Sequence, residues 1–100
     1  MLPRAGPELF VAQLAIMKAG AAWTCIEPST PDERLRFLID DSGAVAVITD
    51  DASGDRLESI GFPKYRIVNL SQVDAASIPA APRRATPAWL GPETLAYVIY

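Results

Sequence analysis

Residues 30–49 read Thr-Pro-Asp-Glu-Arg-Leu-Arg-Phe-Leu-Ile-Asp-Asp-Ser-Gly-Ala-Val-Ala-Val-Ile-Thr, and their reading decides the fold. Thr30 has the chemistry of a helix N-cap, Pro31 suits a first turn, and Asp32 and Glu33 supply the acids of that turn, Glu33 as the acid of a capping box. Leu35, Leu38 and Ile39 then fall at i, i+3 and i+4 on one face. Gly43 stops the helix. Residues 44–48 are apolar throughout, and Val45, Val47 and Ile48 put β-branched side chains on both faces of a strand. Such a strand is covered by helices on each side, so the expected class is α/β: three layers, a mostly parallel sheet with helices on both faces.

Outward from this stretch the same rhythm recurs. Pro7 suits a first helical position, and residues 8–18 form a helix closed by Gly20. Glu8, Gln13 and Lys18 stand five apart, a step of about 140° around the axis, so they scatter and the helix is expected to be buried on most faces. Residues 22–26 read as a short strand, and Glu27, Pro28, Ser29 and Thr30 turn the chain into the next helix. On that helix Arg36 is spaced to pair with Asp32, Glu33 and Asp40, which marks a solvated face. Residues 50–54 read as a turn, 55–60 as a short helix and 66–70 as a strand. Strand starts near 22, 44 and 66, each pair separated by a helix, give a βαβ pattern with right-handed crossovers. Residues 1–70 are thus the core, introduced by a proline-bearing lead that reads as an entry loop or as the end of an earlier strand.

Residues 71–94 are rich in alanine and proline and read as a connection, and residues 95–100 return to strand composition. An uncovered apolar strand at a domain's end invites aggregation, so a fragment is expected. The 100 residues, half of them apolar, make one soluble domain or part of one, with little stability of its own. A net charge of -3 argues against nucleic acid or an anionic membrane surface as partner. Residues 9–17 are too short to span a bilayer, and Glu8, Gln13 and Lys18 spoil them as a signal core. Cys25 is the sole cysteine, so no internal disulfide forms and a reducing cytoplasm fits best. With no histidine, the chain alone makes no Ser-His-Asp triad, no Cys-His pair and no His-ligated metal.

Met17-Lys18-Ala19-Gly20-Ala21-Ala22-Trp23-Thr24-Cys25-Ile26-Glu27-Pro28, followed by Pro31-Asp32-Glu33-Arg34-Leu35 and Asp41-Ser42-Gly43-Ala44, resembles the second core motif of the adenylation domains of nonribosomal peptide synthetases. Leu2-Pro3-Arg4 and Pro7-Glu8-Leu9 are similar to the family's approach to this helix. Leu95-Ala96-Tyr97-Val98-Ile99-Tyr100 resembles the strand that precedes the family's phosphate loop. Trp23, Thr24, Cys25 and Glu27 depart from the family's Tyr, Val, Pro and Asp, and Cys25 in place of proline restores a backbone donor and is expected to lengthen the strand. The resemblance implies a ligase that uses ATP and magnesium to form an aminoacyl adenylate, then passes the aminoacyl group to the phosphopantetheine thiol of a carrier protein. The partners implied are the rest of the adenylation domain and a peptidyl carrier domain. The pocket, the ribose-binding acid and the catalytic lysine of the family lie beyond these motifs, so this piece is expected to be scaffold and inactive alone, with no catalytic residue, no metal ligand and no bound cofactor. A carrier-independent acyl- or aryl-CoA ligase, a non-enzymatic remnant and a flavodoxin-like binder are the other readings.

The tempting residues each have a structural reading. Lys18 complements a helix dipole or reaches water more simply than it binds phosphate. Cys25 is expected to be a small core residue, lacking a base to activate it. Asp50 and Asp51 follow a strand, where open α/β sheets bind ligands and metals, yet adjacent carboxylates also favour a turn. Tyr97 and Tyr100 are chiefly packing, with Tyr100 the neighbour of the nucleotide site in an intact enzyme. Arg83 and Arg84 read as a solvated pair.

Overall fold

The computed structural model describes residues 6–78 and 86–100. In chain order they form helix α1 (Pro7–Lys18), strand β1 (Trp23–Thr24), helix α2 (Asp32–Ser42), strand β2 (Val47–Thr49), helix α3 (Asp51–Ser59), strand β3 (Ile67–Asn69) and strand β4 (Tyr97–Val98). Short 3-10 turns stand at Lys64–Arg66, Leu70–Gln72 and Ala75–Ser77. The lead motif Leu2-Pro3-Arg4 and the pair Arg83 and Arg84 lie outside the described residues.

Helix α2 buries the face its spacing predicts, with Leu35, Leu38 and Ile39 inside, and Gly43 ends it in a left-handed conformation at φ 62°. Its start differs. The N-cap is Pro31, which has no side-chain acceptor, and the Leu35 N–H donates to the Pro31 carbonyl at 2.8 Å. Thr30 stands one position too early to cap and belongs to the preceding turn, where its N–H donates to the Glu27 carbonyl at 3.0 Å. Nor do the expected pairs of Arg36 with Asp32, Glu33 and Asp40 form: Arg36 donates to the Ile60 carbonyl at 3.3 Å, and Asp32 pairs with Arg56.

Strand β2 begins at Val47, three residues later than expected, since the Arg66 guanidinium donates to the carbonyls of Ala44 and Val45 and takes them out of the strand ladder. Val45 is consequently 80% exposed, so the apolar run is not covered on both sides. The predicted turn over residues 50–54 is instead the start of α3. Asp50 caps it by accepting the Ser53 N–H at 2.8 Å, and a helix offered a good N-cap extends back to it. Gly54 is buried, and a methyl group there would rest 3.5 Å from Thr49 and 3.6 Å from Asn69, so α3 lies close upon β2 and β3.

Helix α1 has the predicted bounds, with Pro7 at its first turn, but not the predicted burial. Ala12 is its buried residue, while Phe10, Val11, Leu14 and Met17 face outward, because no described segment lies across that side. Strand β1 is shorter than the expected 22–26, and Cys25 adds nothing to it.

Among the described residues all strand pairing is parallel, which makes the fold α/β. β2, α3 and β3 form the βαβ unit read from the sequence, with Val47 opposite Ile67 and Thr49 opposite Asn69. β1 pairs with β4, Trp23 opposite Tyr97. Among the described residues these are two separate parallel pairs and not one continuous sheet. The core comprises Ile26, Leu35, Leu38, Ile39, Val47 and Leu57, flanked by Ile60, Phe62 and Ile67, so apart from Ile26, which follows β1, it centres on α2, α3 and the β2–β3 pair. No described helix is long and apolar enough to cross a membrane.

Leu35 has 0% exposure and Leu14 60%. Leu35→Ala is expected to lower stability by about 3 kcal/mol through lost burial and the cavity left behind, and Leu14→Ala by less than about 0.5 kcal/mol. Urea midpoints of the two variants compare the covered and uncovered faces directly.

Candidate functional site

Two sequence motifs from opposite ends of the chain meet at the β1–β4 pair. The Trp23 N–H donates to the Ala96 carbonyl at 3.1 Å, and the rings of Trp23 and Tyr97 stack with centroids 5.1 Å apart and planes 22° from parallel. Beyond β4 the Tyr100 hydroxyl donates to Asp41 Oδ2 at 2.8 Å, tying the strand's end to the last turn of α2. That bond to a carboxylate favours the neutral phenol and raises its pKa above the ordinary 10.0, against the opposing pull of Arg34. The site is thus built from β1, β4 and the C-terminal turn of α2.

The turn between β1 and α2 is held from outside by a residue that sequence spacing does not mark. Arg56 on α3 donates to the carbonyls of Pro28 and Thr30 and, through Nε at 2.8 Å, to Asp32 Oδ1. A guanidinium presents a fixed fork of donors and can bind three oxygens at once, which an ammonium group cannot do in the same geometry. Its place in α3 is uninformative, since two of its acceptors are backbone carbonyls. Arg66 does the same for Ala44 and Val45 while its guanidinium lies 5.0 Å from the Phe62 ring centroid.

Lys18 is exposed at the end of α1, where a cation complements the helix dipole. Cys25 is exposed and not a core residue; the chain leaves the strand at Thr24, and the Gln13 amide donates to its sulfur at 3.6 Å. Asp51 accepts from Asn69 Nδ2 at 2.8 Å and Gln72 Nε2 at 3.3 Å, so it joins α3 to the end of β3. The Ser53 N–H at the cap of α3 holds the Asp50 carboxyl below its ordinary 3.8. Both carboxylates are therefore occupied by structure, and the described residues contain no group of three or more His, Cys, Asp or Glu placed to hold a metal.

An apolar cleft of about 650 Å³ separates the two strand pairs, with Trp23, Thr24 and Ile26 on one wall, Val47 on the other and Ala12 and Ile16 of α1 along its side. Trp23 Nε1 and Thr24 Oγ1 are shut off from solvent with no partner among the described residues. The cleft carries no charge cluster suited to phosphate.

The family model described as "AMP-binding enzyme" matches residues 2–100, which is nearly the whole chain. The chain belongs to the AMP-binding enzyme family. Among curated relatives it is 35% identical over 94 residues to a linear gramicidin synthase of Brevibacillus parabrevis, covering 94% of this chain and 1% of that protein. It is 41% identical over 70 residues to the N-(5-amino-5-carboxypentanoyl)-L-cysteinyl-D-valine synthase of Amycolatopsis lactamdurans, covering 70% of this chain and 2% of that one. Indigoidine synthase of Streptomyces lavendulae is 31% identical over 93 residues, and this chain spans 7% of it. The chain therefore spans only a small part of the length of the curated relatives it matches.

Replacing Arg56 by Lys is expected to lose about 1–2 kcal/mol, since one ammonium leaves some of the turn's oxygens without a donor; equilibrium urea unfolding measures it. Asp50→Ala is expected to lose about 1 kcal/mol of cap stability. Because the folded-state pKa of Asp50 lies below its ordinary value, its contribution is complete above that value and fades as pH falls through the folded pKa. Asp50→Asn keeps a cap but is expected to flatten that acid limb in pH-dependent unfolding.

Proposed function

We propose that this chain is scaffold from an amino-acid-activating adenylation domain of a peptide synthetase. The observation that carries the reading is the parallel pairing of β1 with β4, which seats the motif around Trp23 beside the strand that resembles the approach to a phosphate loop. The names of the relatives, synthases of gramicidin and of a cysteinyl-valine peptide, favour an amino acid as substrate over the acyl or aryl acid of a CoA ligase.

In the parent enzyme the substrate carboxylate oxygen bonds to the α-phosphorus of ATP as the bond to the β-phosphate bridging oxygen breaks and pyrophosphate leaves. A carrier domain's phosphopantetheine would supply the thiol that takes the aminoacyl group from AMP. Such chemistry depends on positioning and on donors and cations that neutralise phosphate charge. The described residues do not fit a magnesium site, as their strand-end carboxylates are committed to a cap and a cross-link, so no step is assigned to them. What this chain contributes is position: Arg56 holds the turn into α2, and β1 and Asp41 hold β4 and Tyr100, the residue that neighbours the nucleotide loop in this reading. The uncovered side of α1 and the apolar cleft are the surfaces on which the remainder of the adenylation domain packs. The parent protein is cytoplasmic in this reading.

A longer synthetase that contains this segment is expected to catalyse pyrophosphate exchange into ATP only when its amino acid is present, whereas the 100-residue chain shows none. Exchange by the short chain would overturn the scaffold assignment, and its absence from the longer protein would overturn the ligase assignment.

A further inference from the structure

Helix α2 joins β1 to β2, yet these strands do not pair: β1 lies with β4, β2 lies with β3, and the apolar cleft of about 650 Å³ stands between the two pairs. Its walls are largely aliphatic, with Ile16, Ile26, Val47, Val68 and Ile99 among them. A residue of β-sheet fills about 160 Å³ when strands stand about 4.8 Å apart, rise about 3.3 Å per residue and stack in layers about 10 Å thick. The cleft therefore has room for about four such residues, close to the three of β2. The cleft edge of β1 selects the occupant. Alternate residues of a parallel strand turn their N–H and C=O to opposite neighbours. Trp23 gives its N–H to the Ala96 carbonyl on the β4 side, so Thr24, though level with Val98, turns its own backbone groups away from β4. Among the described residues neither group has a hydrogen-bond partner. A small apolar ligand would cover the walls and leave that amide and carbonyl unmet, whereas buried backbone groups are paired. A strand meets both demands.

We infer that the cleft seats one more β-strand, parallel to β1 and β2, apolar on both faces and supplied by the part of the parent polypeptide that precedes α1. This rests on the reading above, in which the remainder of the domain packs on this side, and it names what packs there. The source follows from connectivity. Each of β1, β2 and β3 follows a helix, and a strand joined to the next by a helix crosses over to lie parallel beside it, as β2 and β3 do across α3. A strand feeding α1 completes the same unit with β1. One edge of β1 is held by β4, so the place beside it is the cleft. The two separate pairs then become one parallel sheet in the order β4, β1, the added strand, β2, β3. A strand buried in that position carries apolar side chains on both faces, which matches the walls it meets.

Amide hydrogen exchange at Thr24 tests it, with Trp23 as the internal reference because its N–H is bonded to Ala96 in either case. In the 100-residue chain the Thr24 amide, corrected for intrinsic rates, is expected to exchange about tenfold faster than that of Trp23, the effect of one net hydrogen bond. In a longer synthetase bearing the segment the two amides are expected to exchange alike. The photo-crosslinking residue p-benzoylphenylalanine, put in place of Ala46 on the exposed rim of the cleft, is expected to join within the longer protein to a segment that precedes Pro7. A Thr24 amide that stays fast in the longer protein overturns the inference, as does one already slow in the 100-residue chain. Cross-links to a segment after Tyr100, to a second copy or to a lipid also overturn it. A longer protein that protects Thr24 but shows no amino-acid-dependent pyrophosphate exchange sinks the ligase reading and keeps the strand; one active in that exchange with Thr24 unprotected does the reverse.

Discussion

The guanidinium of Arg56 is the constraint on which the described structure most depends. It gathers the carbonyls of Pro28 and Thr30 and the carboxylate of Asp32, so one side chain of α3 fixes the turn that leaves β1 and the first residue of α2. Asp32 and Arg56 are joined across the α2–α3 contact, on the two helices that contribute Leu35, Leu38 and Leu57 to the core. Backbone carbonyls in an irregular turn need donors, and a partly buried arginine supplies them where no ladder can. With the turn held, the apolar face of α2 is presented to β2 and α3 at one orientation, and packing follows.

What the sequence makes legible is the part governed by periodicity and by glycine. The i, i+3, i+4 spacing of Leu35, Leu38 and Ile39 locates the buried face, and Gly43 locates the helix end, because both depend on local geometry alone. The βαβ order of β2, α3 and β3 is visible for the same reason. Long-range side-chain donation is not periodic. Arg66 shortens β2 by binding the carbonyls of Ala44 and Val45, 22 and 21 positions away, and no window of neighbouring residues carries that information. The Asp50 cap is legible in principle: an aspartate three residues before a serine offers its oxygen to that serine's N–H, and this chemistry competes with the turn reading on equal composition.

The candidate site is less legible than the fold. Tyr100 stands out by its place at the end of a family-like strand, yet its partner Asp41 is, in sequence, one acid among several on α2. Cys25 has the residue type of a core position, and it lies exposed because β1 ends at Thr24, before the alternation of a strand could turn it inward. Helix α1 shows the limit of composition in the other direction. A helix apolar on most sides wants cover, but burial is a property of what packs against it, and the described residues provide that cover chiefly along the side toward β1.

The Trp23–Tyr97 stack also bears on how the structure is assembled. Closing a loop costs entropy that grows with the logarithm of the intervening chain, and this stack joins the two most distant paired strands, whereas β2 and β3 are separated by little more than one helix. The nearer pair has the Leu35 and Leu57 core to reward it at once. The stacked rings belong to no such buried cluster, so in the language of contact order the aromatic pair is the costlier closure of the two.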